Sequence, residues 1–148
     1  MPRSAAPRLL LACLAALACA PASARAAELS VRIEGLRNAQ GIVSVCVTAK
    51  ADAFPGCDGD PAARRQSVRA SEAARPVVFQ NLAPGTYAVA ALHDENADGR
   101  LDTNVLGIPT EGIGVSNDAL PAFSAPRFRD AAVRLEGSGS LSVRVRYR

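Results

Sequence analysis

An all-β fold, an antiparallel β-sandwich of about seven strands with one long acidic loop, is predicted by three observations on this sequence. Apolar and polar residues alternate with period two near both ends of the chain after residue 26. Short runs rich in β-branched residues, bounded by Gly, Pro or Asn, lie between those ends. No stretch carries a convincing amphipathic helix pattern.

In chain order, Leu29, Val31 and Ile33 alternate with Ser30, Arg32 and Glu34, the pattern of a half-buried strand. Ile42 to Ala49, Val77 to Leu82, Thr86 to His93 and Ala132 to Glu136 follow as further strands, with Gln66 to Ser71 a weaker one suited to a sheet edge. Leu141, Val143, Val145 and Tyr147 alternate with Ser142, Arg144, Arg146 and Arg148, so both ends of the domain read as half-buried antiparallel strands. Asn38-Ala39-Gln40-Gly41 suits a hairpin turn, Pro84-Gly85 presets the turn before Tyr87, and Gly137-Ser138-Gly139 joins the last two strands. Ala62 to Arg75 has some helix-forming composition, enough for one short helix. Asp94 to Asp130 shows no clear strand, and a loop of that length needs something to order it.

The first 26 residues read as a secretory leader, with Arg3 and Arg8 at its start, an apolar core from Leu9 to Ala20, and Ala24-Arg25-Ala26 as a small-x-small cleavage site. The apolar core is too short to span a bilayer, so an integral membrane protein is not expected and a periplasmic or secreted one is. Leu17 stands where a lipid-anchor motif ending at Cys19 usually has a small residue. Cleavage leaves one domain, 27–148, and takes three of the 17 basic residues and none of the 14 acids, so the formal charge falls from +3 to zero. The whole-chain basicity is therefore no argument for nucleic acid. It also leaves two cysteines, Cys46 and Cys57, expected to form a disulfide in an oxidising compartment.

Charge is unevenly placed. Asp94, Glu95, Asp98, Asp102, Glu111 and Asp118 stand against Arg100 alone, while Ala119 to Arg148 holds six Arg against Asp130 and Glu136. The acidic stretch needs either a cation or the basic tail. Within it, D-x-N-x-D-G-x-x-D places Asp94, Asn96, Asp98 and Asp102 at loop positions one, three, five and nine, with Gly99 at the sharp turn and the Arg100 carbonyl at position seven. That is the opening of a calcium loop, because alternate oxygen ligands converge when the chain curls around an ion. The pattern then departs from an EF-hand, with Val105 at position twelve and no flanking helices. Glu111 is the preferred residue to complete the shell, with Asn104, Asp118 or waters as alternatives. Against calcium stands the fact that Asp, Asn and Gly favour solvated turns on their own account.

Catalysis is not expected. His93 is the only histidine, G-x-S-x-G is absent, and no zinc cluster can be assembled. His93 is read as a structural hydrogen-bonding residue or a support for the cation loop. The glycines of Gly107 to Asn117 let a backbone approach closely, yet lack a phosphate-loop pattern, so a close-packed structural loop is expected. Arg127 and Arg129 are candidates to pair with the acidic loop. The alternative function is a metal-free interaction module that docks envelope components through edge strands or through Arg144, Arg146 and Arg148.

The run Pro84-Gly85-Thr86-Tyr87-Ala88-Val89-Ala90, the block His93 to Asn104, Gly107-Ile108-Pro109-Thr110-Glu111-Gly112 and Ser116-Asn117 together resemble the bacterial DUF2141 family. The resemblance extends to the Gly41-Ile42-Val43 strand and to the Cys46 and Cys57 pair. It implies a small secreted β-sandwich similar to transthyretin-like or carboxypeptidase-regulatory-like modules, and it brings no assigned activity.

Overall fold

The computed structural model describes residues 26–148; the leader expected over residues 1–26 lies, but for Ala26, outside the described residues. Eight strands are described: β1 (Ala27–Glu34), β2 (Ile42–Thr48), β3 (Arg64–Arg69), β4 (Val77–Leu82), β5 (Gly85–Asp94), β6 (Gly112–Val115), β7 (Val133–Leu135) and β8 (Gly139–Arg144). They form an all-β sandwich, one sheet ordered β4-β1-β8 and the other β3-β2-β5-β6, with β7 paired to β5.

The alternation seen in the sequence places the core. Ala27, Leu29, Val31 and Ile33 of β1 are buried, as are Val43, Val45 and Val47 of β2 and Val143 and Val145 at the C-terminal end; they pack with Phe79, Leu82, Val89 and Ala91 between the sheets. A second, smaller cluster of Ala88, Val115 and Ala131, packed by Phe54, Leu120 and Phe128, lies outside the main core; α1 (Phe128–Ala131) contributes to it. The edge position expected for Gln66 to Ser71 is occupied by β3, and a 3-10 turn at Ala70–Glu72 takes the place of the short helix.

Four expectations are corrected. First, β1 pairs antiparallel with β4 as expected, but β8 pairs parallel with β1, so the C-terminal strand is not the antiparallel strand its sequence suggests. Their alternation fixed which face is buried, and direction is set by a pairing partner more than a hundred residues away. Second, β1 and β2 lie in different sheets, so Asn38 to Gly41 bridges the sandwich and is not a hairpin turn. The last two strands are likewise divided, β7 on β5 and β8 on β1. Third, Asp94 to Asp130 is not strandless, for β6 lies within it and pairs antiparallel with β5 from Ala90–Val115 to His93–Gly112. Fourth, Arg127 and Arg129 pair with Asp130 and not with the acidic loop.

The C-terminal strand clasps the two sheets. Val145 donates its N–H to Glu34 of β1 at 2.8 Å, and the next residue, Arg146, exchanges two backbone bonds with Ile113 of β6, at 2.8 and 3.0 Å. The glycines of β6 permit this crossing. A Cβ on Gly114 would come within 2.5 Å of the Arg144 carbonyl, and one on Gly112 would meet Val145 and the Tyr147 ring. The close approach expected of this segment is thus made by the protein's own last strand. On the opposite flank, Gln66 Nε2 donates to the Val78 carbonyl at 2.6 Å. Cys46 and Cys57 form a disulfide that ties β2 to the segment before β3.

Candidate functional site

The acidic loop leaves the sandwich at Asp94, the last residue of β5, and returns at Glu111, just before β6. Pairing of β5 with β6 sets both ends on neighbouring strands, so their carboxylates reach into the base of one loop. Both are buried, at 3% and 4% exposure, whereas Asn96, Asp98 and Arg100 are exposed and Asp102 is half-buried.

The loop curls as its sequence pattern requires. Asp94 Oδ1 accepts the Asp98 N–H at 3.2 Å and Oδ2 the Gly99 N–H at 2.7 Å. Asn96 Oδ1 also accepts the Asp98 N–H, and Asp98 Oδ1 accepts the Arg100 N–H at 2.9 Å. Gly99 sits at φ +80, the left-handed region that glycine enters without a Cβ clash. Glu111 closes the loop from the far side, with Oε1 accepting the Glu95 N–H and Oε2 the Asp102 N–H, both at 3.0 Å. Asn96 Nδ2 lies between two carboxylates, donating to Asp102 Oδ2 at 2.9 Å and to Asp98 Oδ2 at 3.4 Å.

Asp94, Asn96, Asp98, Asp102 and Glu111 are therefore brought into one hydrogen-bonded loop, with the Arg100 backbone on the same turn. The two alternatives to Glu111 are engaged elsewhere. Asn104 Oδ1 accepts the N–H groups of Leu106 and Ile108 in the hairpin that follows, and Asp118 pairs with Arg146. As placed, the acidic side chains face N–H donors, and among the described residues no group of three or more His, Cys, Asp or Glu converges to hold a metal ion.

Cations reach only the margins of this cluster. Arg37, from the bridge between β1 and β2, pairs with Glu95, and Asn38 donates to the same carboxylate. The Arg37 guanidinium, reinforced by Asn38 and opposed by burial, holds the Glu95 carboxyl at about 2. Among the described residues, no Lys or Arg forms an ion pair with Asp94, Asp98, Asp102 or Glu111.

His93 is fully buried beside the loop, with Nε2 at 2.7 Å from the Gln40 carbonyl and Nδ1 at 2.5 Å from the Tyr147 hydroxyl. The carbonyl can only accept, so Nε2 donates to it, and in the neutral ring Nδ1 then accepts from Tyr147. Burial raises the Tyr147 hydroxyl above its ordinary pKa, keeping it a neutral donor, and the Arg37 guanidinium stacks 4.4 Å from the ring centroid. The structural role expected of His93 fits this arrangement. Its partners Tyr147 and Gln40, and the Arg37 that stacks on Tyr147, were not legible, since no local spacing links them.

The chain matches a family model described as "Uncharacterized protein conserved in bacteria (DUF2141)" over residues 31–143. Comparison with curated proteins and with solved structures finds no match.

Proposed function

The chain belongs to the DUF2141 family of bacterial proteins, whose description assigns no activity, and from its own residues we propose that it is an exported, non-enzymatic β-sandwich module whose Asp94–Glu111 loop takes a calcium ion. The observation that carries this reading is a loop with five carboxylates of which four, Asp94, Asp98, Asp102 and Glu111, two of them buried, have no cationic side chain paired to them among the described residues. Buried carboxylates without a counter-charge are costly, and an all-oxygen donor set suits a hard cation. Asp94, Asn96, Asp98 and Asp102 would supply side-chain oxygens, Arg100 its carbonyl, and Glu111 the closing carboxylate. Each carboxylate oxygen keeps a lone pair after accepting one N–H, so the hydrogen bonds of the loop and an ion are compatible. Asn96 Nδ2 and the exposed Asp98 side chain would yield their mutual contact to the ion. Bound calcium would neutralise the loop and fix its surface for an envelope or extracellular molecule.

Export to the periplasm or the medium is supported by the leader pattern of residues 1–26 and by the Cys46–Cys57 disulfide, which suits an oxidising compartment. A non-enzymatic role is supported by His93, whose two ring nitrogens are both engaged internally. Among the described residues no helix is long and apolar enough to cross a membrane.

A metal-free interaction module is the second reading, favoured by the way Asp94 and Glu111 each spend both oxygens on backbone N–H groups. Arg144 and Arg146 speak for it less, because they pair with Glu34 and Asp118. Thermal melting with calcium, magnesium or EGTA separates the two. Calcium at a hundred times Kd adds about 2.7 kcal/mol to stability, a rise of several degrees for a domain of this size. The rise is expected with calcium and lost in Asp98→Ala; no rise at millimolar calcium, or the same rise in Asp98→Ala, selects the metal-free reading.

A further inference from the structure

At the pole of the sandwich opposite the acidic loop lies an open cavity of about 480 Å³ lined by Lys50, Asp60, Arg64, Asn81, Leu82 and Tyr87, among others. Four strands meet there: Lys50 follows β2, Arg64 opens β3, Asn81 and Leu82 end β4, and Tyr87 stands near the start of β5. Tyr87 and Asp94 are seven positions apart on β5, which separates the two poles by roughly 23 Å.

The cavity is cationic and its acid is already engaged. Asp60 Oδ2 accepts from the Thr48 hydroxyl at 2.6 Å and Oδ1 from the Ala62 N–H at 2.9 Å. The Thr48 bond, with the Ala62 N–H and the Lys50 charge as lesser causes, keeps the Asp60 carboxyl below its ordinary pKa, so it stays charged and offsets one of the two cations. Lys50, the chain's only lysine and one of the lining residues, gives one of its three N–H groups to the Gly59 carbonyl at 3.0 Å, which leaves two donors to spare. Among the described residues neither Lys50 nor Arg64 forms an ion pair. Half-buried Tyr87 and exposed Ala62 and Ala83 supply the apolar part of the lining, and the Tyr87 hydroxyl donates to the Ala83 carbonyl at 2.7 Å. Asn81 stands at φ +59, a conformation that a non-glycine residue adopts at a cost.

We propose that this cavity binds a small organic carboxylate, its anionic group held between Lys50 and Arg64 and its apolar body laid against Tyr87 and Ala83. A volume of this size is in the range of small-molecule sites, and two cations beside an apolar lining favour an amphiphilic acid over a bare anion.

The test is titration of the ¹⁵N-labelled protein with benzoate, and separately with inorganic phosphate at matched ionic strength, reading the amide signals of Lys50, Arg64, Asn81 and Leu82. Benzoate is expected to shift these signals saturably, with affinity falling roughly tenfold in Lys50→Gln and in Arg64→Gln and restored in Lys50→Arg. The same spectra report that each variant is folded. Absence of a saturable shift, a shift indifferent to both Gln substitutions, or phosphate binding as tight as benzoate would each overturn the proposal, the last because it leaves the apolar lining without a role.

Discussion

A Cβ on Gly112 has no room, because the Tyr147 ring and Val145 Cγ1 already occupy its place. Gly112→Ala is expected to cost about 1–3 kcal/mol in urea denaturation, the usual penalty for forcing a packed contact apart, while Gly137→Ala, whose Cβ meets nothing within 4 Å, stays within about 0.5 kcal/mol. Tyr147→Phe keeps the ring and removes the donor to buried His93 Nδ1, at an expected cost of about 1–3 kcal/mol in the same measurement. An unchanged midpoint in that variant would mean that His93 finds another partner. At this scale the sequence was informative about faces and silent about partners. Alternation placed Tyr147 with Val143 and Val145, yet nothing in a period of two pairs it with a histidine 54 positions earlier.

β1 and β8 were legible from apolar alternation, because burial of one face writes itself into the sequence, and β2, β4 and β5 from runs rich in β-branched residues bounded by Gly, Pro or Asn. By contrast, β6 has the sequence Gly-Ile-Gly-Val, whose glycines serve the crossing C-terminal strand and erase the period that would have revealed it. The acidic loop was legible as a curl, since its turn geometry is local, and Glu111, expected to complete the shell of an ion, accepts the Glu95 and Asp102 N–H groups across it. Its tie to the bridge between β1 and β2 was not legible, because Arg37 and Glu95 are 58 positions apart. That tie has a pH signature. With the Glu95 carboxyl at about 2 in the folded protein and near the ordinary carboxylate value when unfolded, its stabilisation is fully present above about 4.5 and is lost as the pH falls toward 2. Acid unfolding of Arg37→Gln should therefore begin at higher pH than that of the unsubstituted protein, as followed by circular dichroism. Superimposable acid limbs would show that the ion pair adds nothing across this bridge.

At the scale of the whole molecule, the two sheets are joined by their packed core, by the Gln66 side chain on one flank and by the last residues of the chain on the other. Parallel pairing of β8 with β1 aims the chain toward β6, so that Val145 still bonds to β1 while Arg146 bonds to β6. Ending the chain at Arg144 would remove buried Val145, three backbone bonds, the Tyr147 donor to His93 and the Arg146–Asp118 pair. Burial of one valine is worth about 1.5–3 kcal/mol, each backbone bond about 1 kcal/mol, and the stranded histidine nitrogen a similar amount again. These losses rival the total stability of about 5–15 kcal/mol available to a domain of this kind. The truncated chain is therefore expected to lose its cooperative thermal transition, whereas removal of exposed Arg148 alone, which bonds only to loop carbonyls, costs less than about 1 kcal/mol. Melting of the Arg144 truncation within about 5 °C of the full chain would place the join between the sheets in the core and the Gln66 flank instead, and would leave the C-terminal strand as a cover over β6.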